Sequence, residues 1–427
     1  MGKKRILISA FACHPPTSSE HQEEEKILGS GESILGWNLV KQISRIHEVW
    51  VITQRRNAKG IRRAVDQGEM ANVKFCYFDF PVWHRTLWYW QISLHFYYYF
   101  WQIFAFLKAK KLHRKNHFDL IHHITYANYW MPSFMGAFLK IPFIWGPVGG
   151  GQKTPPGFYK EYSLGGKISE LVRGISQWIG IKLLYSRSRC LRRSKAILVC
   201  NQETKNKIPE KFKKKVQNFP VTGIGQDALR PDCNVQKDHN IFSVITTGRL
   251  VHWKNFAEAL TAFHIFFRKY PQSQFFIIGD GPEKDRLETM SSELNLKNHV
   301  HFISWLPQNE LFKRMCQSDV FLYPSLREGG GAVVIEAMAS GLPVICLDTA
   351  GPGFHIRKEW GIKIEPRNPD FVVGGMAQSL EKLYEDKDLR QQMGIKAYER
   401  AKDYYLWDRL GERLQNIYRD SLEKDRK

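Results

Sequence analysis

The chain has 427 residues, of which 43% are hydrophobic, and its formal net charge is +21. This length predicts two or three domains, and the hydrophobic content is enough to build substantial cores. The seven cysteines form no C-x-x-C pair and are odd in number, which argues against a disulfide framework and a zinc site and predicts reduced cysteines that pack in the core.

The excess positive charge is confined to the first half of the chain. Residues 1–220 hold 35 Lys and Arg against 14 Asp and Glu, whereas residues 221–427 hold 28 of each sign. Such a basic half predicts an anionic partner, either phospholipid head groups or nucleic acid.

The first predicted strand, Arg5-Ile-Leu-Ile-Ser-Ala10, begins almost at Met1. It leaves no room for a signal peptide, so we expect a cytoplasmic protein. A polar loop, residues 13–30, follows and is a candidate mobile lid. It leads into Gly29-Ser-Gly31-Glu32, which opens an amphipathic helix that extends to Ile43. This glycine pair lacks the third glycine of a dinucleotide fingerprint, and helix capping by Ser30 is the alternative explanation.

Residues 87–107 form an aromatic segment that carries no formal charge if His95 is neutral. It contains 11 aromatic residues among 21 positions and is followed by Lys108, Lys110, Lys111, Arg114 and Lys115. Aromatic residues crowd the middle of the segment, whereas in spanning helices Trp and Tyr prefer the head-group level. A spanning helix would also split the first domain. We therefore favour contact with a membrane surface, and a core helix with an acceptor-facing aromatic stripe remains the alternative.

Two further strands with polar or glycine-rich ends are predicted in the first half. The segment Phe118–Thr125 contains the adjacent His122 and His123, and the segment from Pro142 ends in Gly149-Gly150-Gly151. A neutral strand-end histidine that donates to a backbone carbonyl is the simplest interpretation of either histidine. Beyond these strands, a lysine-rich stretch gives way to a polar loop, and residues 219–240 are the predicted hinge between two domains.

Charged residues and glycines follow two buried strands of the second half. The strand from Ile241 ends in Gly248-Arg249-Leu250, with Lys254 before an amphipathic stretch over residues 256–267. Fixed Arg and Lys side chains can stabilise a nucleoside diphosphate leaving group without a metal. The strand from Gln274 runs into Gly279-Asp-Gly281-Pro282, which is either a tight turn or a floor under the phosphates.

Two glutamates bracket the glycine-rich run Glu328-Gly-Gly-Gly-Ala-Val-Val-Ile-Glu336. A helix that starts near Ala332 would direct free N–H groups at anionic oxygens, which suits a diphosphate. Glu336, about one turn into this helix, could accept hydrogen bonds from both ribose hydroxyls. An ordinary helix entry is the alternative. The only Asp-x-Asp, Asp386-Lys-Asp388, is better explained by helix capping than by metal binding.

Taken together, these motifs resemble the retaining GT-B glycosyltransferases of the group 1, family 4-like type, over nearly the whole chain. The motifs that carry the resemblance are Gly248-Arg-Leu with Lys254, Gly279-Asp-Gly-Pro282, Phe302-Ile-Ser-Trp305-Leu-Pro, Ser325-Leu-Arg-Glu328-Gly through Glu336-Ala-Met-Ala, and Gly341-Leu-Pro-Val-Ile345. The Gly-Pro-Val-Gly-Gly-Gly turn over residues 146–151 resembles one subgroup.

The resemblance implies an α/β fold of two Rossmann-like domains facing across a cleft. Residues 1–218 would bind the acceptor and 241–400 the nucleotide sugar, joined by the linker 219–240, and a C-terminal helix over 401–427 would cross back to the first domain. The final helical segment, from about Leu389 to Ser421, is predicted to break near residues 404–407.

The resemblance also implies roles for residues, which we describe in three groups. The residues expected to contact the donor diphosphate or sugar and to act in catalysis are Arg249, Lys254, Glu328 and His122. Donor-binding positions are Gly248, Gly279, Gly281, Gly330, Gly331, Ala332, Val333 and Glu336. Acceptor or lid positions are Gly29, Gly31, Glu32, Gly149 and Gly150. Family members often have an aromatic residue where Gly330 stands here, so the donor pocket is expected to differ in shape.

The expected activity is transfer of a sugar from a nucleotide-diphosphate sugar to a glycan or lipid-linked acceptor, with retention of configuration and with neither metal nor cofactor. A lipid-linked acceptor on the cytoplasmic leaflet would explain both the aromatic segment and the basic half. Two alternatives stay open: a nucleotide-sugar epimerase or phosphorylase of the same architecture, and a nucleic-acid-binding protein. The chain shows no recognised nucleic-acid motif, so no nucleic acid is expected as a partner.

Overall fold

A computed structural model describes residues 2–16, 31–79, 91–161, 164–183, 185–229 and 240–423. The chain divides into two compact units. The first comprises Met1–Gly151, Arg173–Thr222 and Trp407–Lys427, and the second comprises Gln152–Val172 and Gly223–Leu406. Residues 152–172, predicted within the first domain, cluster with the second unit instead. Predicted lid residues 17–30, including Gly29, lie outside the described residues.

The elements of the first half begin with β1 and end with β7. They are β1 (Arg5–Ser9), α1 (Gly31–Ser44), β2 (Glu48–Gln54), α2 (Ala58–Asp66), β3 (Val73–Phe78), α3 (Gln91–Asn116), β4 (Leu120–His123), α4 (Phe134–Phe138), β5 (Phe143–Val148), α5 (Leu164–Leu183), α6 (Tyr185–Arg193), β6 (Ser194–Val199), α7 (Gln202–Asn206) and β7 (Val216–Asn218). Short 3₁₀ helices cover Arg55–Asn57, Pro156–Glu161 and Glu210–Lys215.

The elements of the second half begin with β8 and end with the last helix of the chain. They are β8 (Phe242–Thr247), α8 (Phe256–Phe267), β9 (Ser273–Ile278), α9 (Lys284–Glu293), β10 (Val300–Ile303), α10 (Gln308–Cys316), β11 (Val320–Tyr323), α11 (Ala332–Ala339), β12 (Val344–Leu347), α12 (Ala350–His355), β13 (Gly361–Ile364), α13 (Pro369–Glu385), α14 (Lys387–Tyr404) and α15 (Trp407–Glu423). Further 3₁₀ helices cover Gln226–Ala228 and His252–Lys254.

The first unit is built on a parallel seven-stranded sheet of order β3-β2-β1-β4-β5-β6-β7. Alternate residues of β1 enter different cores, because successive side chains of a strand point to opposite faces. Leu7 packs in one core, while Ile6 and Ile8 pack in the other, to which α15 contributes Leu410 and Leu414. Helices on both faces explain why these strands are continuous apolar runs.

The second unit repeats the plan with a parallel six-stranded sheet of order β10-β9-β8-β11-β12-β13. Val244 and Ile245 of β8 enter its two different cores. Strand order reverses between β8 and β11, where the chain passes from one side of the starting strand to the other. Ligands of doubly wound sheets bind beyond the carboxyl ends of the strands at such a point.

Only part of the aromatic segment 87–107 can be described, and it has two different faces. Residues 87–90, and the side chains of 91–96, lie outside the described residues. Tyr98 and Trp101 are buried in the core of the first unit, whereas Phe100, Phe104 and Leu107 are exposed. Among the described helices, we find none with the length and apolar character needed to cross a bilayer.

The described cysteines differ in one respect from the expectation that all are reduced. Free thiols are found at Cys13, Cys76, Cys190, Cys200 and Cys346. Cys316, at the end of α10, is disulfide-bonded, which corrects the prediction for that residue.

Candidate active site

Two loops of the second unit meet at the point where its strand order reverses. One follows β8 and contains Gly248, Arg249 and Lys254, and the other follows β11 and runs from Tyr323 to the start of α11. The sequence placed its main candidates on these two loops. The structure brings them together because β8 and β11 are neighbours in the sheet.

Gly279 and Gly281 allow one backbone to pack closely against another. A Cβ on Gly279 would lie 2.0 Å from the carbonyl oxygen of Gly248, and one on Gly281 would lie 2.3 Å from that of Leu250. The Leu250 N–H also donates to the Asp280 carbonyl at 2.8 Å. These contacts favour the interpretation of residues 279–282 as a tight turn. The turn packs against the backbone of the loop that follows β8.

Lys254, Tyr323 and Glu328 form a compact polar cluster. The Lys254 ammonium contacts both the Glu328 carboxylate and the Tyr323 hydroxyl, and that hydroxyl donates to Glu328 Oε2 at 3.0 Å. Burial, reinforced by the neighbouring Glu328 carboxylate, raises the pKa of Tyr323 well above its ordinary value of 10.0. Tyr323 is therefore a neutral donor that fixes the position of the glutamate.

Arg249 differs from Lys254 in its exposure and in its side-chain contacts. Its side chain is exposed, and among the described residues it makes no side-chain hydrogen bond or ion pair. The Gly248 that precedes it has a φ of +154°, in the region that favours glycine. A guanidinium that has no partner in the described ranges, at the strand switch, is available for an anionic ligand.

The glycine-rich turn ends where α11 begins, at Ala332, which confirms the predicted helix start. Gly331, the residue before the helix, has a left-handed φ of +61°, a conformation that glycine adopts without strain. Ala332 and Val333 lie in the first turn, where a helix offers no carbonyl for their N–H groups. These donors, together with the helix dipole, favour an anion at this position.

Helix α12 holds the glycine-rich turn in place. The Gly351 N–H donates to the Glu328 carbonyl at 2.9 Å, and the His355 ring donates from Nε2 to the Gly330 carbonyl at 2.6 Å. Since Nε2 carries the proton, Nδ1 accepts from the Tyr405 hydroxyl at 2.8 Å. We define His355, Gly330 and Tyr405 as the His355 clamp.

Burial keeps the histidine of this clamp uncharged. The His355 side chain is 2% exposed, and burial lowers its pKa to about 4. Sequence reasoning missed His355 because its two partners lie 25 and 50 positions away. The nearby Gly351-Pro-Gly353 run was the one available signal for a close approach.

Glu336 lies one turn into α11 and is partly buried. Its Oε1 accepts from the Gln308 amide at 3.2 Å, and burial raises the pKa of the carboxyl. Among the described residues, no donor bonds the second carboxylate oxygen, so the group retains acceptor capacity. Gln308, at the start of α10, is a neighbour that the sequence did not indicate.

In the first unit, His122 lies in a different environment from the one its predicted catalytic role requires. It is fully buried; its ring donates from Nε2 to the Gly146 carbonyl and accepts at Nδ1 from the Tyr418 hydroxyl, both at 2.7 Å. Burial lowers the pKa of His122 to about 4. Both ring nitrogens are occupied, which favours the alternative of a buried structural histidine. Its neighbour His123 is also buried and bonds the Tyr98 hydroxyl at 2.8 Å.

The predicted acceptor residues lie on loops of the first unit. Gly31 opens α1, and the exposed Glu32 accepts from the Tyr126 N–H at 3.1 Å. The Gly149 N–H donates to the Ala127 carbonyl at 2.8 Å. Gly150 has a φ of +85°, so this turn requires a glycine for its own conformation.

Among the described residues, we find no cluster of side chains that could bind a metal ion. No set of three His, Cys, Asp or Glu side chains in the described ranges is arranged to hold a metal ion. The polar groups assembled at the strand switch of the second unit are instead cationic, amide and carboxylate groups.

Comparison with known proteins identifies a family model and several relatives that match part of the chain. Residues 227–400 match the family model described as glycosyl transferases group 1. An uncharacterized glycosyltransferase of Haemophilus influenzae is 27% identical over 249 residues, 58% of this chain and 65% of that protein. A lipopolysaccharide core biosynthesis glycosyltransferase of Rhizobium meliloti is 26% identical over 185 residues, 43% of this chain and 51% of that protein. The chain thus spans about half to two thirds of the length of the curated relatives it matches.

Solved structures resemble the chain over nearly its whole length. A glycosyltransferase from Rickettsia africae has a TM-score of 0.62 at 14% identity, with 99% of both chains covered. HepE of Anabaena, solved in complex with UDP, has a TM-score of 0.59 at 15% identity, covering 97% of this chain and 99% of that one. With two parallel α/β units and these structural neighbours, the fold is GT-B, as predicted, and the match to the group 1 family model lies in residues 227–400.

Proposed function

We propose that this protein transfers a sugar from a nucleotide-diphosphate sugar to a glycan or a lipid-linked acceptor, in the synthesis of a cell-surface polysaccharide or glycolipid. The observation that carries the proposal is the arrangement at the strand switch of the second unit. There, the loop after β8 carries Lys254, which contacts Glu328, and Arg249, which has no side-chain partner among the described residues, while α11 begins at Ala332, four positions after Glu328. Relatives that act in lipopolysaccharide core biosynthesis, and a fold neighbour solved with UDP, support the same activity.

The donor diphosphate would lie against the N–H groups of Ala332 and Val333. These donors are fixed before the donor arrives, so they need no reorganisation as charge develops on the leaving phosphate. Arg249 would add a cation from the opposite loop. Because the charge of the diphosphate grows as the glycosidic bond breaks, such groups stabilise the transition state more than the bound donor.

Lys254 requires a rearrangement before it can serve the diphosphate. Its ammonium contacts Glu328 and the Tyr323 hydroxyl. A bound phosphate would compete with the Glu328 carboxylate for the ammonium. The released carboxylate could then accept hydrogen bonds from hydroxyls of the donor sugar.

Glu336 would hold the nucleoside through its ribose hydroxyls. Its position one turn into α11 is about 5 Å along the helix from the first-turn donors, which is the distance scale between a ribose and the phosphates attached to it. Gln308 restrains the carboxylate from one side.

Retention of configuration is part of the proposal. The acceptor hydroxyl would attack the anomeric carbon from the face that the diphosphate leaves, and the departing phosphate would take the proton. The acceptor oxygen then bonds to the carbon as the carbon–phosphate oxygen bond breaks. The proposed reaction uses neither a protein nucleophile nor a metal.

The basic first half supports a site of action at a cytoplasmic membrane surface, with the acceptor bound by the first unit. Its charge would attract anionic phospholipids. The protein would then act as a peripheral protein on the inner face of the cell membrane, where lipid-linked acceptors are exposed to the cytoplasm.

Saturation-transfer NMR against UDP-, GDP- and ADP-sugars tests the donor proposal directly. The wild-type protein should bind one of these donors, and Glu336→Ala should lose that binding. Arg268→Ala, which changes a residue of the second unit remote from this cluster in the chain, serves as the control. Binding of none of the donors, or equal binding by Glu336→Ala, would contradict the proposal.

A further inference from the structure

Helix α5 presents its large apolar side chains to solvent. In the part of α5 that belongs to the first unit, residues 173–183, the side chains of Ile175, Trp178 and Ile179 are 51%, 58% and 41% exposed. At about 100° per residue, these three positions fall within an arc of about 100° on the helix. We call these three residues the α5 stripe.

The side of α5 opposite the stripe is small and polar, and it packs inward. The buried Gln177 donates from its amide to the Gly150 carbonyl at 3.1 Å and accepts from the Tyr129 hydroxyl at 3.3 Å. A Cβ at Gly180 would lie 2.5 Å from the Trp130 carbonyl oxygen. Rotation of the helix would break these contacts, so the apolar stripe is held facing away from the core of the first unit.

An amphipathic helix normally buries its apolar face, and α5 does the reverse. An exposed apolar helix face is typical of an interaction surface. The charge of the adjoining chain indicates which partner it meets. Residues 173–222 hold 13 Lys and Arg but only two Asp and Glu.

This charge disfavours a second copy of the same chain, because two such surfaces would bring like charges together. An anionic bilayer instead gains from both features. The apolar side chains would enter the boundary of the acyl chains, the Trp178 ring would lie at head-group depth, and nearby basic residues would face the phosphates.

The aromatic segment 87–107 is not the surface proposed here. Tyr98 and Trp101, central to the sequence prediction, are in the core. Among the described side chains of α3, the large apolar ones that are exposed are Phe100, Phe104 and Leu107.

We propose that the α5 stripe is the surface through which this protein binds an anionic phospholipid bilayer. The inference rests on the proposed function in one respect, since it identifies the surface that brings the enzyme to a membrane-bound acceptor.

Vesicle flotation tests it with the full chain and two lipid compositions, phosphatidylcholine alone and phosphatidylcholine with phosphatidylglycerol. We expect the wild type to float with the anionic vesicles and to be released by salt, because surface charges are screened. Ile175→Ser with Trp178→Ser should lower the partition coefficient by about tenfold or more, since loss of roughly 1.4 kcal/mol of apolar burial gives that factor.

Two variants serve as controls for this experiment. The first, Phe100→Ser with Leu107→Ser, changes a pair of comparable exposure on α3. Its partition coefficient should be within about threefold of the wild-type value, a difference of less than about 1 kcal/mol. Trp178→Phe keeps an apolar ring and should also retain binding. Thermal unfolding of each variant should match that of the wild type, because the changed side chains are exposed.

Equal flotation of the α5 double variant and the wild type would overturn the inference, as would a wild type that floats with neither vesicle. Sedimentation showing a wild-type dimer that the α5 substitutions dissociate would overturn it in favour of a second copy. Donor binding measured by NMR on the same samples distinguishes failure of the membrane-surface inference from failure of the proposed sugar transfer. A protein that binds a sugar nucleotide but no vesicle would contradict only the membrane surface.

Discussion

Replacement of His355 by Asn tests whether a buried neutral histidine holds the glycine-rich turn. The folded state lowers the pKa of this histidine to about 4, against an ordinary value of 6.5. A depressed folded pKa means that the unfolded chain takes up the proton first as the pH falls. The stabilising contribution is therefore complete above about pH 6.5 and is lost progressively down to about pH 4.

The magnitude follows from these two values. Between pH 7.5 and pH 5, proton uptake by the unfolded chain at this one position should lower the free energy of unfolding by about 2 kcal/mol. His122 and His123, with pKa values lowered to about 4 and about 3, add a similar dependence in the first unit. His355→Asn should therefore remove only its own share of the pH dependence.

Urea denaturation at pH 7.5 and pH 5, followed by tryptophan fluorescence, measures this difference. The loss of stability between the two pH values should be about 2 kcal/mol smaller in His355→Asn than in the wild type. His117→Asn is the matched control, because His117 is exposed and its left-handed φ of 49° suits Asn. An unchanged pH dependence in His355→Asn would refute the argument that burial keeps this ring neutral.

Four further substitutions probe the second unit. Arg249→Ala should lower turnover by about 100-fold, as loss of comparable transition-state contacts does, and an unchanged kcat would remove it from the mechanism. Gly331→Ala forces a side chain into φ +61° and should destabilise the fold by about 1 kcal/mol. Gly374→Ala, in α13 with nothing within 4 Å, should instead stabilise it by up to about 1 kcal/mol; melting temperatures that shift alike in both would contradict this. Tyr323→Phe removes the hydroxyl bonded to Glu328 and should weaken donor binding by about tenfold, the cost of roughly one such hydrogen bond, while calorimetry showing wild-type affinity would exclude a positioning role.

Local features of the sequence were sufficient to predict the main elements of the second unit. The strand before Gly248, the amphipathic helix over 256–267 and the helix start at Ala332 are all confirmed, because apolar runs, periodicity and glycines are local signals. The break near residues 404–407 is also confirmed by the end of α14 and the start of α15.

Contacts between distant parts of the chain were not predictable in the same way. The pairing of Lys254 with Glu328 joins residues 74 positions apart, and nothing in either loop specifies it. The burial of Tyr98 and Trp101 depends on which face of α3 meets the sheet, and a helix that is aromatic on every side gives no periodic signal for that choice. His122 likewise matches a family position in sequence, but its partners Gly146 and Tyr418 are known only from the fold.

Both units contain the same hydrogen-bond arrangement around a buried histidine, and it affects how substitutions in this protein should be interpreted. In each, a buried histidine links a glycine carbonyl to a tyrosine hydroxyl that lies late in the chain, Tyr418 for His122 and Tyr405 for His355. A genetic screen for lost activity would therefore recover Tyr405 alongside the residues proposed to bind the donor. Redesign of donor selectivity should vary the side chains around the turn and leave this tyrosine unchanged, because it sets the backbone on which any new specificity would be built.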